Sequence, residues 1–245
     1  MEAGVKLSTG ISGLDEMLDG GINHGSIVAA VGPPGSGKTI FSLQFLHASL
    51  SSGRTCLYIS ANHRVEELMR YSQSYGWDFS QFITSKQLVL MQIPPVQLMQ
   101  RGGEMHLVSE YLDELPRVVN EIKMEVVIID SVTDFLMLCK SQFESRSRLL
   151  NLFTIISDNG SSALITAETD VNSDSSKYGI VEYAADGLIV LRRVQSADLS
   201  EIVPVIQVAK MRWSKHMREI RQYDFTDRGI VVYNRYNVML SDMHG

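Results

Sequence analysis

Gly32-Pro33-Pro34-Gly35-Ser36-Gly37-Lys38-Thr39 satisfies the pattern GxxxxGK(S/T) at every fixed position. It also sits in the context that the pattern requires. Ser26-Ile27-Val28-Ala29-Ala30-Val31 reads as a short buried strand, and an apolar helix opens at Lys38 or Thr39. Glycines let the backbone wrap a polyphosphate with its N–H groups turned inward. The helix N-terminus adds unpaired donors and the positive end of a dipole. In such a loop the lysine reaches the β- and γ-phosphates and the next hydroxyl ligates Mg²⁺. Gly32, Gly35, Ser36, Gly37, Lys38, Thr39 and the adjoining Ile40 are the candidate nucleotide-binding residues, with Thr39 also on the metal. A plain Gly/Pro turn between strand and helix would leave the Lys38-Thr39 pair unexplained.

Outward from this loop, apolar β-type runs alternate with helical stretches, the signature of a mostly parallel sheet covered by helices. Strands are predicted at 26–31, 55–60, 87–92, 125–130, 163–167 and 187–192. The helix after the loop carries Ile40, Leu43, Leu46 and Leu50 on one face, widened by Phe41, Phe45 and Ala48, so it is largely buried. Further helices are predicted at 64–75, at 105–123 and at 141–158, the last stopped by Asn159-Gly160. Pro116 is expected to bend or interrupt the second of these. In the last third, 202–210, 218–225 and 230–233 read as consecutive strands, with Thr226-Asp227-Arg228-Gly229 as a tight turn. They form an antiparallel extension of the same sheet, and no linker-like stretch precedes them. Residues 1–245 are therefore expected to be one domain. Segments 94–104 and 170–178 carry the turn-rich composition of mobile loops.

Composition narrows the class. Hydrophobic residues at 44% and charged residues at 20% describe a soluble globular chain with ample core. No apolar run reaches the ~18 residues of a membrane span, and the N-terminus lacks the apolar stretch of a signal peptide. Cys56 and Cys139 have no metal-type spacing and read as buried thiols of a reducing compartment, so a cytoplasmic location is expected. A net charge of −6 excludes nucleic-acid binding through bulk charge, though not through a local basic stripe.

Val126-Val127-Ile128-Ile129-Asp130 is an apolar run ending in a carboxylate. Beside a phosphate loop, such a strand tip supplies the second metal contact, usually through water. Asp130 is the candidate metal-side acid.

Several blocks together resemble the KaiC family of RecA-like P-loop ATPases. Thr9-Gly10-Ile11-Ser12-Gly13-Leu14-Asp15-Glu16-Met17-Leu18 is similar to that family's opening segment. The likeness continues through the phosphate loop, Ser74-Tyr75-Gly76-Trp77-Asp78 and Asp130-Ser131-Val132-Thr133. It ends with Ala185-Asp186-Gly187-Leu188-Ile189-Val190-Leu191-Arg192 and Lys210-Met211-Arg212-Trp213-Ser214-Lys215-His216. The resemblance implies a RecA-like fold binding ATP and Mg²⁺. It also implies a homo-oligomer, commonly a hexameric ring, with nucleotide between neighbouring subunits. By the same likeness Lys210, Arg212 and His216 form a basic finger that reaches the γ-phosphate held by a neighbour, and Ser74 and Asp227 fall at nucleotide-contacting positions. Strand alternation points Lys210 and Arg212 the same way; a solvated basic turn is the simpler account of the charge alone. Single-domain members of this kind are common in archaea. Clock-type autophosphorylation belongs to tandem-domain members and does not carry over.

One departure matters. The family carries two adjacent glutamates after its second strand, one of which activates the attacking water. Ser60-Ala61-Asn62-His63-Arg64-Val65-Glu66-Glu67-Leu68 places Asn62 and His63 at those positions. Glu66 and Glu67 come four positions later and read as exposed helix residues. An amide orients a water but cannot take its proton; His63 can accept one near neutral pH. Losing a positioned base removes roughly 10²–10⁴-fold of rate, while the ATP-binding groups are intact. The expected protein binds MgATP, hydrolyses it slowly or not at all, and uses it to control assembly or a protein partner. The alternatives are an active hydrolase based on His63, and a recombinase-like mediator binding single-stranded DNA. Against the latter, 170–178 sets Asp170 and Asp174 against Lys177, with Glu168 just ahead. Neither that stretch nor 133–144 interleaves aromatic with basic residues along the chain. Arg146 and Arg148 read as a solvated helix face.

Overall fold

The computed structural model describes residues 5–92, 105–169, 179–195 and 201–237, with only the backbone course described at 105–112 and 234–237. The segments 94–104 and 170–178, expected to be mobile, lie outside the described residues. A short antiparallel pair, β1 (Lys6–Leu7) and β2 (Ile22–Asn23), opens the chain around α1 (Leu14–Met17). The main strands are β3 (Ile27–Gly32), β4 (Cys56–Ser60), β5 (Leu88–Gln92), β6 (Val126–Asp130), β7 (Ser162–Glu168), β8 (Gly187–Gln195), β9 (Ile202–Met211), β10 (Arg221–Thr226) and β11 (Gly229–Asn237). They join in the order β11–β10–β9–β8–β3–β7–β6–β4–β5, parallel from β8 to β5 and antiparallel from β8 to β11.

The central strands have apolar residues on both faces because both faces are covered. Along β3, Val28 and Ala30 enter one hydrophobic cluster while Ile27, Ala29 and Val31 enter the other. The first cluster takes α2 (Lys38–Ser51) through Phe41, Leu43, Phe45, Leu46 and Leu50. The second takes α5 (Met105–Ile122), α6 (Val132–Leu136) and α7 (Gln142–Asp158). The remaining helices are α3 (Val65–Ser74), α4 (Ser80–Thr84) and α8 (Val181–Ala184). α7 begins where the sequence places it, with Ser141 accepting the N–H of Glu144 at 3.1 Å.

One expectation needs correction. α5 is not interrupted at Pro116. Leu115, Val118 and Val119 bury against the sheet around it, and that packing outweighs the ~3 kcal/mol cost of an interior proline. The opening segment, which carries the family resemblance, is scaffolding. Asp15 accepts from the N–H of Thr9 at 2.7 Å and from its hydroxyl at 2.6 Å, while Ile11, Leu14, Met17 and Leu18 are buried. Gly13, at φ 84, lies so near β11 that an added Cβ would stand 2.1 Å from the carbonyl oxygen of Val232. Gln44 of α2 joins these parts: its amide donates to Gly10 O at 2.8 Å and Ile230 O at 3.1 Å, and accepts from Ile230 N at 2.7 Å.

Candidate functional site

The carboxyl ends of β3, β7, β6 and β4 open on one edge of the sheet, where a doubly wound fold places its ligand crevice. A cleft of about 450 Å³ lies there. The phosphate loop supplies Gly35, Gly37, Lys38, Thr39 and Ile40; the tip of β4 supplies Asn62 and His63; Asp130 with Ser131 and Glu168 come from β6 and β7. The sequence-predicted phosphate, metal and base positions are thus brought to one wall.

The loop has the form of an anion cradle. Gly37 holds a left-handed conformation at φ 87, and the N-terminus of α2 has no side-chain cap, so its first N–H groups face the cleft side. Lys38 is buried, and its ammonium spans the loop, donating to Gly32 O at 2.9 Å and Pro33 O at 3.0 Å. Gly32 and Ser36 lie beneath the surface of the loop. The Ser36 hydroxyl, fully buried, has no hydrogen-bond partner among the described residues, and its carbonyl accepts from Tyr223 at 2.7 Å. A left-handed glycine, an uncapped helix start and an orphaned hydroxyl fit a phosphate chain. Thr39 and Asp130 fit Mg²⁺, which keeps few protein ligands beside its phosphate oxygens.

Asp130 is held on both sides. Tyr58 donates to Oδ2 at 3.0 Å and Thr166 to Oδ1 at 2.5 Å. Burial, with the Asp130 carboxylate second, drives the Tyr58 phenol far above its ordinary value, so it stays a donor. At the positions of the family's glutamates, Asn62 donates from Nδ2 to Asp134 Oδ2 at 2.8 Å. His63 donates its backbone N–H to Ser60 Oγ at 3.0 Å and turns its ring toward α3, with Nδ1 3.8 Å from Glu67 and an edge on Tyr71. Glu66 and Glu67 do not line the cleft; Glu67 accepts the N–H of Arg64 at the start of α3.

Other predicted residues stand elsewhere. Ser74 is exposed at the end of α3 and donates to Tyr71 O at 2.7 Å. Asp227 occupies the turn between β10 and β11. Lys210, Arg212 and His216 do not line the cleft of their own chain. Lys210 donates to Glu182 O at 2.8 Å and Arg212 to Tyr183 O at 3.3 Å, so the two cations do converge, on consecutive carbonyls of α8. Desolvation and then the Arg212 charge depress the pKa of Lys210. His216 Nδ1 lies 3.4 Å from Ser214 O.

The sequence reading missed three contributors to the cleft and one pairing outside it. Glu168 ends β7 level with Gly32 and lines the cleft; an apolar run ending in a carboxylate marks it as it marks Asp130. Phe225 closes the cleft from β10 and packs on Gly37, where an added Cβ would stand 2.4 Å from its ring. Asp134 stands behind Asn62. Arg146, read as a solvated residue, lies 5.0 Å from the ring centroid of the exposed Tyr183, in a groove shared with Phe143; Arg148 instead pairs with Asp113 and Glu144.

The family model for the KaiC ATPase matches residues 7–237. A UPF0273 protein of Thermotoga maritima is 30% identical over 239 residues, which cover 93% of this chain and 96% of that protein. The circadian clock oscillator protein KaiC of Prochlorococcus marinus subsp. pastoris is 26% identical over 230 residues, and the match covers 45% of its length. Among solved structures, a KaiC-like protein of Pyrococcus horikoshii superposes with a TM-score of 0.78 at 28% identity, covering 94% of this chain and 99% of that one. Among the described residues, no helix is long and apolar enough to cross a membrane.

Proposed function

This chain belongs to the KaiC ATPase family, and on that premise we propose that it is a MgATP-controlled assembly protein with blunted hydrolysis. The phosphate loop and Asp130 hold MgATP. Lys210, Arg212 and His216 reach the γ-phosphate bound by a neighbouring copy, probed by the same cleft in turn around a ring. Residues 1–245 act as one ATP-binding unit in this reading. Ligand bound across a subunit interface stabilises the oligomer by mass action, so filling the cleft governs assembly and the surface offered to a protein partner.

One observation carries the reading: Asn62 and His63 line the same cleft as Lys38, Thr39 and Asp130, and neither is a carboxylate. Binding groups are complete while the water-activating position is altered. Phosphoryl transfer depends on orienting the water and neutralising charge, so ATP affinity and turnover separate. Light scattering with and without MgATP, on material whose retained nucleotide has been quantified, tests the assembly. Steady-state phosphate release tests the hydrolysis. A mass indifferent to MgATP, or turnover at the rate ordinary for glutamate-bearing relatives, overturns the proposal.

A second reading, single-stranded nucleic-acid binding, draws on the exposed Phe143 and Tyr183 with Arg146. Aromatic platforms beside an arginine suit stacked bases, but the acidic balance of the chain opposes it. Salt-dependent filter binding distinguishes the two.

A further inference from the structure

No carboxylate stands at the family's base positions, yet one reaches the same wall from behind. Asp134, in the first turn of α6, receives two hydrogen bonds at a single oxygen, Oδ2. One comes from Ser131 Oγ and the other from Asn62 Nδ2 at 2.8 Å. Asn62 and Ser131 both line the cleft, and the half-buried Asp134 does not.

Local structure explains only half of this. Ser131 is the N-cap of α6, and a serine paired with an acid three residues later is an ordinary helix start. Asn62 lies 72 residues earlier in the chain, on the tip of another strand, and no helix-capping rule calls for it. An ionised carboxylate only accepts, so the Asn62 atom that meets it must be the NH₂ group. The carbonyl oxygen of Asn62 is then fixed as the acceptor left for the cleft. The first turn of α6 is anchored on its other side as well: Thr133 Oγ1 accepts the N–H of Glu168 at 2.8 Å.

We propose that Asp134 is a positioning carboxylate and proton sink that supports a residual hydrolysis. This rests on the reading of the cleft as a MgATP site. Asn62, held by Asp134, accepts one hydrogen bond from the attacking water and orients it. The water oxygen forms a bond to the γ-phosphorus as the bond from that phosphorus to the bridging oxygen breaks. The water proton passes to Ser131 Oγ while the Ser131 hydroxyl proton passes to Asp134 Oδ2. The products are ADP and inorganic phosphate, and Asp134 later returns its proton to solvent.

The test combines steady-state phosphate release with separate titration of a fluorescent ATP analogue, so that loss of turnover and loss of binding are read apart. Asp134→Asn is expected to bind the analogue within about threefold of wild type and to lose on the order of 10²-fold in kcat. Asn62→Ala, at an exposed position, should lower kcat while keeping analogue binding within about threefold of wild type. Adding Asn62→Glu to Asp134→Asn should restore turnover by supplying a direct base. An Asp134→Asn protein with unchanged kcat overturns the proposal, as does a double variant with Asn62→Glu that recovers no turnover. So does a wild type that binds the analogue but releases no phosphate above the buffer rate, or an Asp134→Asn protein that loses binding and turnover together. A wild type that does not bind the analogue instead overturns the MgATP reading on which this one stands.

Discussion

Tyr58 and Asp130 form a buried hydrogen bond of 3.0 Å, and the same phenol oxygen lies 2.9 Å from Ser42 of α2. The pair ties the metal-side acid of β6 to the helix that begins at the phosphate loop. Replacing Tyr58 by Phe takes the donor from buried Asp130 Oδ2, while Ser42 keeps its bond to Thr39 O. A loss of about 1–3 kcal/mol in urea denaturation is expected, together with weaker Mg²⁺ dependence of nucleotide binding. An unchanged denaturation midpoint would mean the bond is not stabilising.

Lys38→Ala removes the only side-chain ammonium among the residues lining the cleft. A hydrogen bond to a charged group contributes about 1.5–3 kcal/mol, so ATP affinity should fall about tenfold to a hundredfold. Equilibrium titration with a fluorescent analogue reads this directly, and a variant that binds like wild type removes the phosphate loop from the account.

Asn62→Glu combined with His63→Glu restores the family's carboxylates. Turnover should rise by roughly 10²-fold or more, with MgATP affinity changed only a few fold. Phosphate release and analogue titration on the same preparation separate the two quantities, and a flat turnover argues that the missing base is not what limits the rate.

Arg212→Ala and Lys210→Ala should leave nucleotide affinity of the isolated subunit near wild type but abolish the mass increase on adding MgATP. Trp213, 90% exposed beside the finger, gives a second readout, because assembly should bury it and move its emission to shorter wavelength. Finger variants that assemble normally would place the interface elsewhere.

His47 stacks on Trp77 at 5.6 Å, and burial depresses its pKa below 6.5. Above pH 6.5 the ring is neutral in folded and unfolded chains, so its contribution is fully present. As pH falls below 6.5 and through the lowered folded value, the unfolded chain takes up a proton that the native state resists, and stability is lost. Denaturation series at pH 5 to 7.5 should show wild type losing stability faster than His47→Gln on acidification; parallel curves would contradict this.

The phosphate loop, its flanking strand and helix, and the carboxylate ending β6 were all legible, because each is a run of neighbours in one chain segment. The antiparallel C-terminal strands were equally readable from alternation and the turn at 226–229. Legibility failed where contacts join strand tips far apart in sequence. Nothing around Asp134 signals that Asn62 will donate to it, and no local pattern brings Phe225 onto Gly37. The exposed pairing of Arg146 with Tyr183 is of the same kind, since it depends on α7 meeting α8. The opening segment taught the reverse lesson. Its glycines and Asp15 carry part of the family likeness, yet they brace the opening turn against α2 and β11 rather than line the cleft.

Gln44 grips Gly10 on one side and Ile230 on the other, from the helix whose first residues are Lys38 and Thr39. The phosphate-loop helix is thus a keel carrying both early and late parts of the chain. Any tilt of that keel when the loop closes on an anion would reach the final hairpin without an intermediary.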